Sequence, residues 1–289
     1  MIELVYFVFP KCDGNCAHCW SSDTKLGTYK DLNHHKKLID ALKKENYEYS
    51  QIKLSGGEPF YNKDVGKIAE YIHYKLGSNI PINVFTSGRP FVSLKEGAAG
   101  ITETEENLKK FFKDFANISI QLSVDEFHLK VLCEKYHWGR NQKKKLFRNY
   151  ITNFVEACLR IKKSQPLFLG PKLKIHCQNG RIRYHVSYLF DWMPKFWWEE
   201  YCCLTEGLVC SGNAKTLKNT FKINESDKTS VFLLPFVDFY SQPVTNDFQI
   251  YDVNSKKLYL DESNHSAILI EGWWNLIDRK AIYRKILVD

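Results

Sequence analysis

Apolar positions along the chain switch repeatedly between strand-like runs and a helix-like period. The run Ile2 to Phe9, ended by Pro10, predicts a buried first strand, and Leu32, His35, Leu38, Ile39 and Leu42 then recur at helical spacing. Thr28-Tyr29-Lys30-Asp31 ahead of them reads as a capping box. Ile52-Lys53-Leu54 predicts a second strand, and Val65, Ile68, Ala69 and Ile72 a second helix. Ile82 to Phe85 predicts a third strand ending in Thr86-Ser87-Gly88, and Leu108, Phe111, Phe112 and Phe115 a third helix. Ile118 to Asp125 predicts a fourth strand, and Leu146 to Leu159 a long fourth helix.

Four strand-helix alternations argue for parallel strands joined by helical crossovers, with functional groups gathered at the C-terminal strand ends. Past residue 170 the pattern loosens. Leu173 to Cys177 predicts a fifth strand, but Gln178-Asn179-Gly180-Arg181 reads as a hairpin turn into Ile182 to Val186. A sixth strand is placed at Leu208-Val209, and Val231 to Tyr240 and Tyr251 to Leu260 read as strands, the latter broken by Asn254-Ser255. Trp273 to Ile286 reads as a closing helix, so residues 216–289 are expected to form a small mixed α/β extension packing on or capping the domain of residues 1–215.

With 289 residues, 44% apolar and 26% charged, the chain has the make-up of a soluble globular protein with one sizeable core. The apolar N-terminal run is too short to span a bilayer and has no basic leader, so a membrane partner is not expected. The net charge of +8 is spread over small clusters such as Lys36-Lys37, Lys43-Lys44, Lys143-Lys144-Lys145 and Lys162-Lys163. These read as solvated helix faces rather than a nucleic-acid surface. Nine cysteines, an odd number without the regular spacing of a disulfide framework, suggest a reducing, cytoplasmic setting.

The candidate chemistry starts at Cys12, Cys16 and Cys19, a CxxxCxxC loop directly after the first strand. Three such thiolates can hold a metal or cluster with one corner open to a substrate. A structural zinc site or a disulfide stays open on these residues alone, although zinc usually takes four protein ligands. The second motif, Ser55-Gly56-Gly57-Glu58-Pro59, ends the second strand. Its glycines permit close backbone approach, and Glu58 offers a carboxylate for a cationic amine.

CxxxCxxC after one strand and GGEP after the next resemble the signature of radical S-adenosylmethionine (SAM) enzymes, over about residues 1 to 215. The resemblance implies a partial (β/α)6 TIM-like barrel within the α/β class, open on one side. It implies a 4Fe-4S cluster on Cys12, Cys16 and Cys19, with SAM on the open iron, cleaved reductively to a 5′-deoxyadenosyl radical. By the same resemblance Gly56, Gly57 and Glu58 hold the SAM amine, and Ser123 and Asp125 meet its ribose or carboxylate. Thr86 and Ser87 are further contacts, Ser87 standing where the family has Asn, and His18 marks a backbone position beside the adenine. An external low-potential donor such as flavodoxin or ferredoxin would supply the electron.

Cys210 precedes a Gly-containing stretch resembling the family's last barrel-strand segment, where a thiol could return a hydrogen atom to a substrate radical. Packing is the competing role for it. Cys177, Cys202, Cys203 and Cys210 are weighed as an auxiliary cluster, although their spacing does not match the usual cassette. His128 is a candidate acid or base, with surface placement as its alternative. The expected oxidoreductase substrate is a ribosomally made peptide, undergoing epimerisation or crosslinking, in view of Cys210 and the aromatics Phe232, Phe236, Phe239, Tyr240, Trp273 and Trp274. A small nucleotide or sugar, a glycyl-radical activase role and a zinc-dependent RNA-binding module are the alternatives.

Overall fold

The computed structural model describes residues 2–9, 11–14, 16, 31–44, 48–177, 188–206, 229–234, 248–252, 257–259 and 266–270. Contacts divide the chain into two compact units: Met1–Asp13, Ala17–Asn83 and Leu208–Asp289 form one, Gly14–Cys16 and Val84–Gly207 the other.

In the first unit β1 (Ile2–Phe9) is buried from Leu4 to Val8, as an apolar run must be when it has a parallel neighbour on each side. It pairs with β2 (Tyr49–Gly56) through Leu4 opposite Ile52 and Tyr6 opposite Leu54, and with β7 (Thr229–Leu234) through Leu4 opposite Val231. Between β1 and β2, α1 (Leu32–Lys44) buries His35, Leu38, Ile39 and Leu42. Asp31 caps its N-terminus, Oδ1 accepting from His34 N at 2.8 Å; the Thr28 end of the expected capping box lies outside the described residues. His35 reaches Tyr6, whose hydroxyl bonds its Nδ1. After a 3-10 turn at Pro59–Tyr61, α2 (Val65–Leu76) buries Val65, Ile68, Ala69 and Ile72, as its spacing predicts.

The strand order in this unit is β2, β1, β7, β10 (Ser266–Ile270), β8 (Phe248–Asp252), β9 (Lys257–Tyr259). The break at Asn254-Ser255 separates two antiparallel strands, β8 and β9, rather than interrupting one. Strand β10 has no counterpart in the sequence expectations. The expected helix Trp273 to Ile286 lies outside the described residues.

In the second unit the order is β6 (Cys202–Glu206), β5 (Gly170–Cys177), β4 (Ile118–Ser123) and then β3 (Ile82–Thr86), whose residues from Val84 on belong to this unit. β4, β5 and β6 run parallel, in keeping with the predicted α/β class. The sixth strand therefore precedes the position expected for it at Leu208-Val209; it lies in register along β5, which short-range pattern could not reveal. The expected hairpin from Gln178 lies outside the described residues.

Two helices depart from the predictions. The third, α3 (Gly97–Phe111), starts earlier and stops short of Phe112 and Phe115. Its buried stripe is Gly100, Thr104 and the expected Leu108, and the first two are small or polar residues that apolar periodicity misses. Phe112 and Phe115 instead pack at a tilt, and Phe115 meets Phe168 edge to face, their centroids 5.0 to 5.3 Å apart. The chain from Glu126, where no helix was expected, forms α4 (Glu126–Lys135), opened by Asp125 as N-cap. α5 (Lys143–Ser164) lays Phe147, Tyr150, Ile151, Phe154, Val155 and Cys158 into the core, and α6 (Lys195–Glu200) buries Trp197.

Candidate functional site

The cysteine loop and the Gly-Gly-Glu turn are joined through the backbone. Gly57 N donates to Phe9 O at 2.8 Å and Glu58 N to Lys11 O at 2.9 Å, which carries the end of β2 onto the base of the loop. A Cβ on Gly57 would fall 2.1 Å from Lys11 O, so glycine is needed here because the neighbouring chain fills the space. Asn62 reinforces the junction by donating from Nδ2 to Val8 O at 2.8 Å. Glu58 is 1% exposed and its Oε1 accepts from Phe60 N at 3.3 Å, capping the 3-10 turn. Cys12, one residue beyond Lys11, is exposed.

In the second unit the turn after β3 is held by its own side chains. Thr86 Oγ1 accepts from Gly88 N at 2.8 Å, and Ser87 O accepts from the buried Tyr150 hydroxyl at 2.7 Å. Ser87 Oγ accepts from Arg89 Nε at 3.0 Å. The Arg89 side chain, 7% exposed, lies against the cysteine loop: a Cβ on Gly14 would meet both terminal guanidinium nitrogens at 2.5 Å. Cys16, two residues further on, is buried. Ser123 ends β4, half-buried, and Asp125 follows with Oδ1 accepting from Phe127 N and His128 N, each at 3.0 Å. The same oxygen meets His128 Nδ1 at 2.8 Å, so helix geometry gives His128 a carboxylate partner.

Gly56, Gly57 and Glu58 thus lie together at the end of β2, and Thr86, Ser87, Ser123 and Asp125 follow β3 and β4. His18, Cys19 and Cys210 lie outside the described residues. Arg89, Tyr150 and the His128 pairing were not legible beforehand; Arg89 directly after Thr86-Ser87-Gly88 was the one available signal.

Of the four cysteines weighed as an auxiliary cluster, Cys210 lies outside the described residues, and the strand register gives the backbone positions of the other three. In the β5–β6 register Cys202 stands opposite Leu173 and Cys203 opposite Lys174, whereas Cys177 stands opposite Glu206. At the usual rise per residue Cys203 is about 10 Å and Cys202 about 13 Å along the strands from Cys177. Cys202 donates to Met193 Sδ at 3.6 Å, and burial, with neighbouring Cys203, pushes its thiol pKa up to about 12.

Among the described residues no three His, Cys, Asp or Glu side chains gather at metal-binding distance, Cys19 lying outside them. The donor chemistry still fits an iron-sulfur centre: three thiols at CxxxCxxC spacing, the first of them next to Lys11, which the end of β2 holds. No described helix is long and apolar enough to cross a membrane.

Comparison with known proteins places the chain. None of the curated proteins matches. Among solved structures it is similar to Streptococcus suis SuiB bound to precursor peptide SuiA, at 16% identity and TM-score 0.46, covering 76% of this chain and 42% of that one. It is also similar to anSMEcpe with bound AdoMet (13%, TM-score 0.35, 71% and 51%) and to BtrN in complex with AdoMet and 2-DOIA (12%, TM-score 0.31, 71% and 56%). The chain therefore spans less than half the length of SuiB. The model of the Radical SAM superfamily matches residues 6–170, more than half of the sequence and the stretch that holds both motifs. The chain belongs to the radical SAM superfamily of enzymes.

Proposed function

We propose that this radical SAM enzyme abstracts a hydrogen atom from a residue of a ribosomally made peptide, leading to epimerisation or a crosslink. The single observation that carries the cofactor half of the reading is the backbone junction of the two motifs, Glu58 N on Lys11 O at 2.9 Å. It ties the carboxylate that would bind the SAM amine to the loop that would carry the cluster. When bound on Cys12, Cys16 and Cys19, the 4Fe-4S cluster and SAM supply reductive cleavage to a 5′-deoxyadenosyl radical, using an electron from flavodoxin or ferredoxin.

The chain's own residues then bind and orient. Gly56, Gly57 and Glu58 hold the SAM amine, Ser123 and Asp125 its ribose or carboxylate, and Thr86 and Ser87 shape the adjoining turn. His18 lies by the adenine. Cys210 returns a hydrogen atom to the peptide radical, breaking its S–H bond and forming a C–H bond; the external donor then restores the thiol with one electron and a proton. Residues 1–215 form the catalytic barrel and 216–289 its extension, in a cytoplasmic enzyme. The peptide half is supported by Cys210 and the aromatic content of the extension.

The test is co-expression with candidate precursor peptides in deuterated water, with mass spectrometry of the product. Solvent deuterium at one α-carbon supports epimerisation, and loss of two hydrogens without label supports a crosslink. Formation of 5′-deoxyadenosine with every peptide left unchanged redirects the reading to a small nucleotide or sugar. Zinc in the loop and no SAM cleavage under dithionite ends it.

A further inference from the structure

Between β3 and α3 the chain forms neither helix nor strand, yet most of it from Ser87 to Ser93 is buried. Buried backbone groups need hydrogen-bond partners, and here side chains of two helices supply several of them. From α5, the Tyr150 hydroxyl donates to Ser87 O at 2.7 Å, and Asn153 Nδ2 donates to Ser93 O at 2.9 Å and to Lys95 O at 2.8 Å. From α3, Thr104 Oγ1 accepts from Ser93 N at 3.0 Å. Tyr150 and Asn153 are buried, and their i,i+3 spacing puts them on one face of α5. They divide the loop between them: Tyr150 holds the turn next to β3, and Asn153 the end that leads into α3. Tyr150 also packs on that turn, since a Cβ on Gly88, whose φ is +78°, would meet its hydroxyl at 2.7 Å. All of these residues belong to the unit Val84–Gly207.

We propose that Tyr150 is a positioning residue for SAM: its hydroxyl fixes the Ser87 carbonyl and so presets the turn whose Thr86 and Ser87 are assigned to the cofactor. The turn's internal bond, Gly88 N on Thr86 Oγ1 at 2.8 Å, is set from the same side. A turn already held in its binding conformation loses less freedom when ligand arrives, so the hydroxyl acts on SAM affinity rather than on the chemical step. Asn153 and Thr104 grip the loop too far along to share this effect, although each contributes to stability. The inference rests on the proposed assignment of Thr86 and Ser87 to SAM.

The experiment uses the full chain, reconstituted anaerobically with iron and sulfide. Its readouts are SAM affinity by equilibrium dialysis, 5′-deoxyadenosine formation at saturating SAM under dithionite, iron content, and urea unfolding of the apo-protein. Tyr150→Phe keeps the ring and deletes the donor; it is expected to weaken SAM binding about fivefold, the net worth of one hydrogen bond, with iron content and the saturated rate unchanged. Asn153→Ala is expected to lower the urea midpoint while SAM affinity stays at the parent's value, and Thr104→Val serves as the same control should Asn153→Ala not fold. In a Thr86→Val background, where the turn has already lost its internal bond, Tyr150→Phe should weaken SAM binding no further. Unchanged SAM affinity in Tyr150→Phe overturns the inference. So does a loss of affinity in the control as large as in Tyr150→Phe, or an undiminished effect of Tyr150→Phe beside Thr86→Val. A parent protein that binds no SAM sinks the proposed function and this inference with it, whereas a parent that binds and cleaves SAM with Tyr150→Phe its equal sinks the inference alone.

Discussion

Gly57→Ala tests the junction on which the site depends. The new methyl would fall 2.1 Å from Lys11 O and 2.3 Å from its carbonyl carbon, where ordinary contact begins at 3.4 Å. Both opposing groups are backbone, so the strand end and the loop base must separate by more than 1 Å. That stretches the Glu58 N to Lys11 O bond from 2.9 Å beyond any useful length, and the 2.8 Å bond of Gly57 N to Phe9 O is strained with it. Two lost backbone bonds cost about 1 kcal/mol each, and forced overpacking about 1–3 kcal/mol. The expected loss is about 2–5 kcal/mol in urea unfolding of the apo-protein, together with failure to retain iron after reconstitution. Ser55→Ala, on the same strand but without this contact, should change stability by at most about 0.5 kcal/mol. A Gly57→Ala protein as stable as Ser55→Ala and loaded with iron like the parent would refute the close-approach argument.

Other predictions draw on separate parts of the chain. Asp125→Ala removes the cap of α4, and denaturant unfolding should show a loss of about 1–2 kcal/mol, most of it recovered in Asp125→Asn. Cys202, raised from 9.0 to about 12, binds a proton in the folded state after the unfolded chain has released its own, so stability should fall as pH climbs from 9.0 toward 12. Cys202→Val should flatten that decline in pH-dependent melting, and iodoacetamide at pH 8 should label exposed Cys12 well ahead of Cys202. Cys210→Ala should abolish the epimerised product while 5′-deoxyadenosine still forms; unchanged product yield rejects the donor role.

The sequence by itself determined the parallel strand-helix alternation through β5 and the placing of both motifs at strand ends. Those features are local: apolar runs, helical spacing and glycine at a strand end act within a few residues. It also marked Cys12, Cys16 and Cys19, because ligand spacing is written directly in the chain. Helix boundaries set by small or polar residues escaped it, as at Gly100 and Thr104 in α3 and at Asp125 before α4. Only the tertiary structure decided that the space beside Gly57 belongs to Lys11, that Arg89 lies on Gly14, and that Cys202 and Cys203 stand well away from Cys177 along β5 and β6. Each of those depends on which distant stretches the sheet register brings together, and register is a property of paired strands that no single segment encodes.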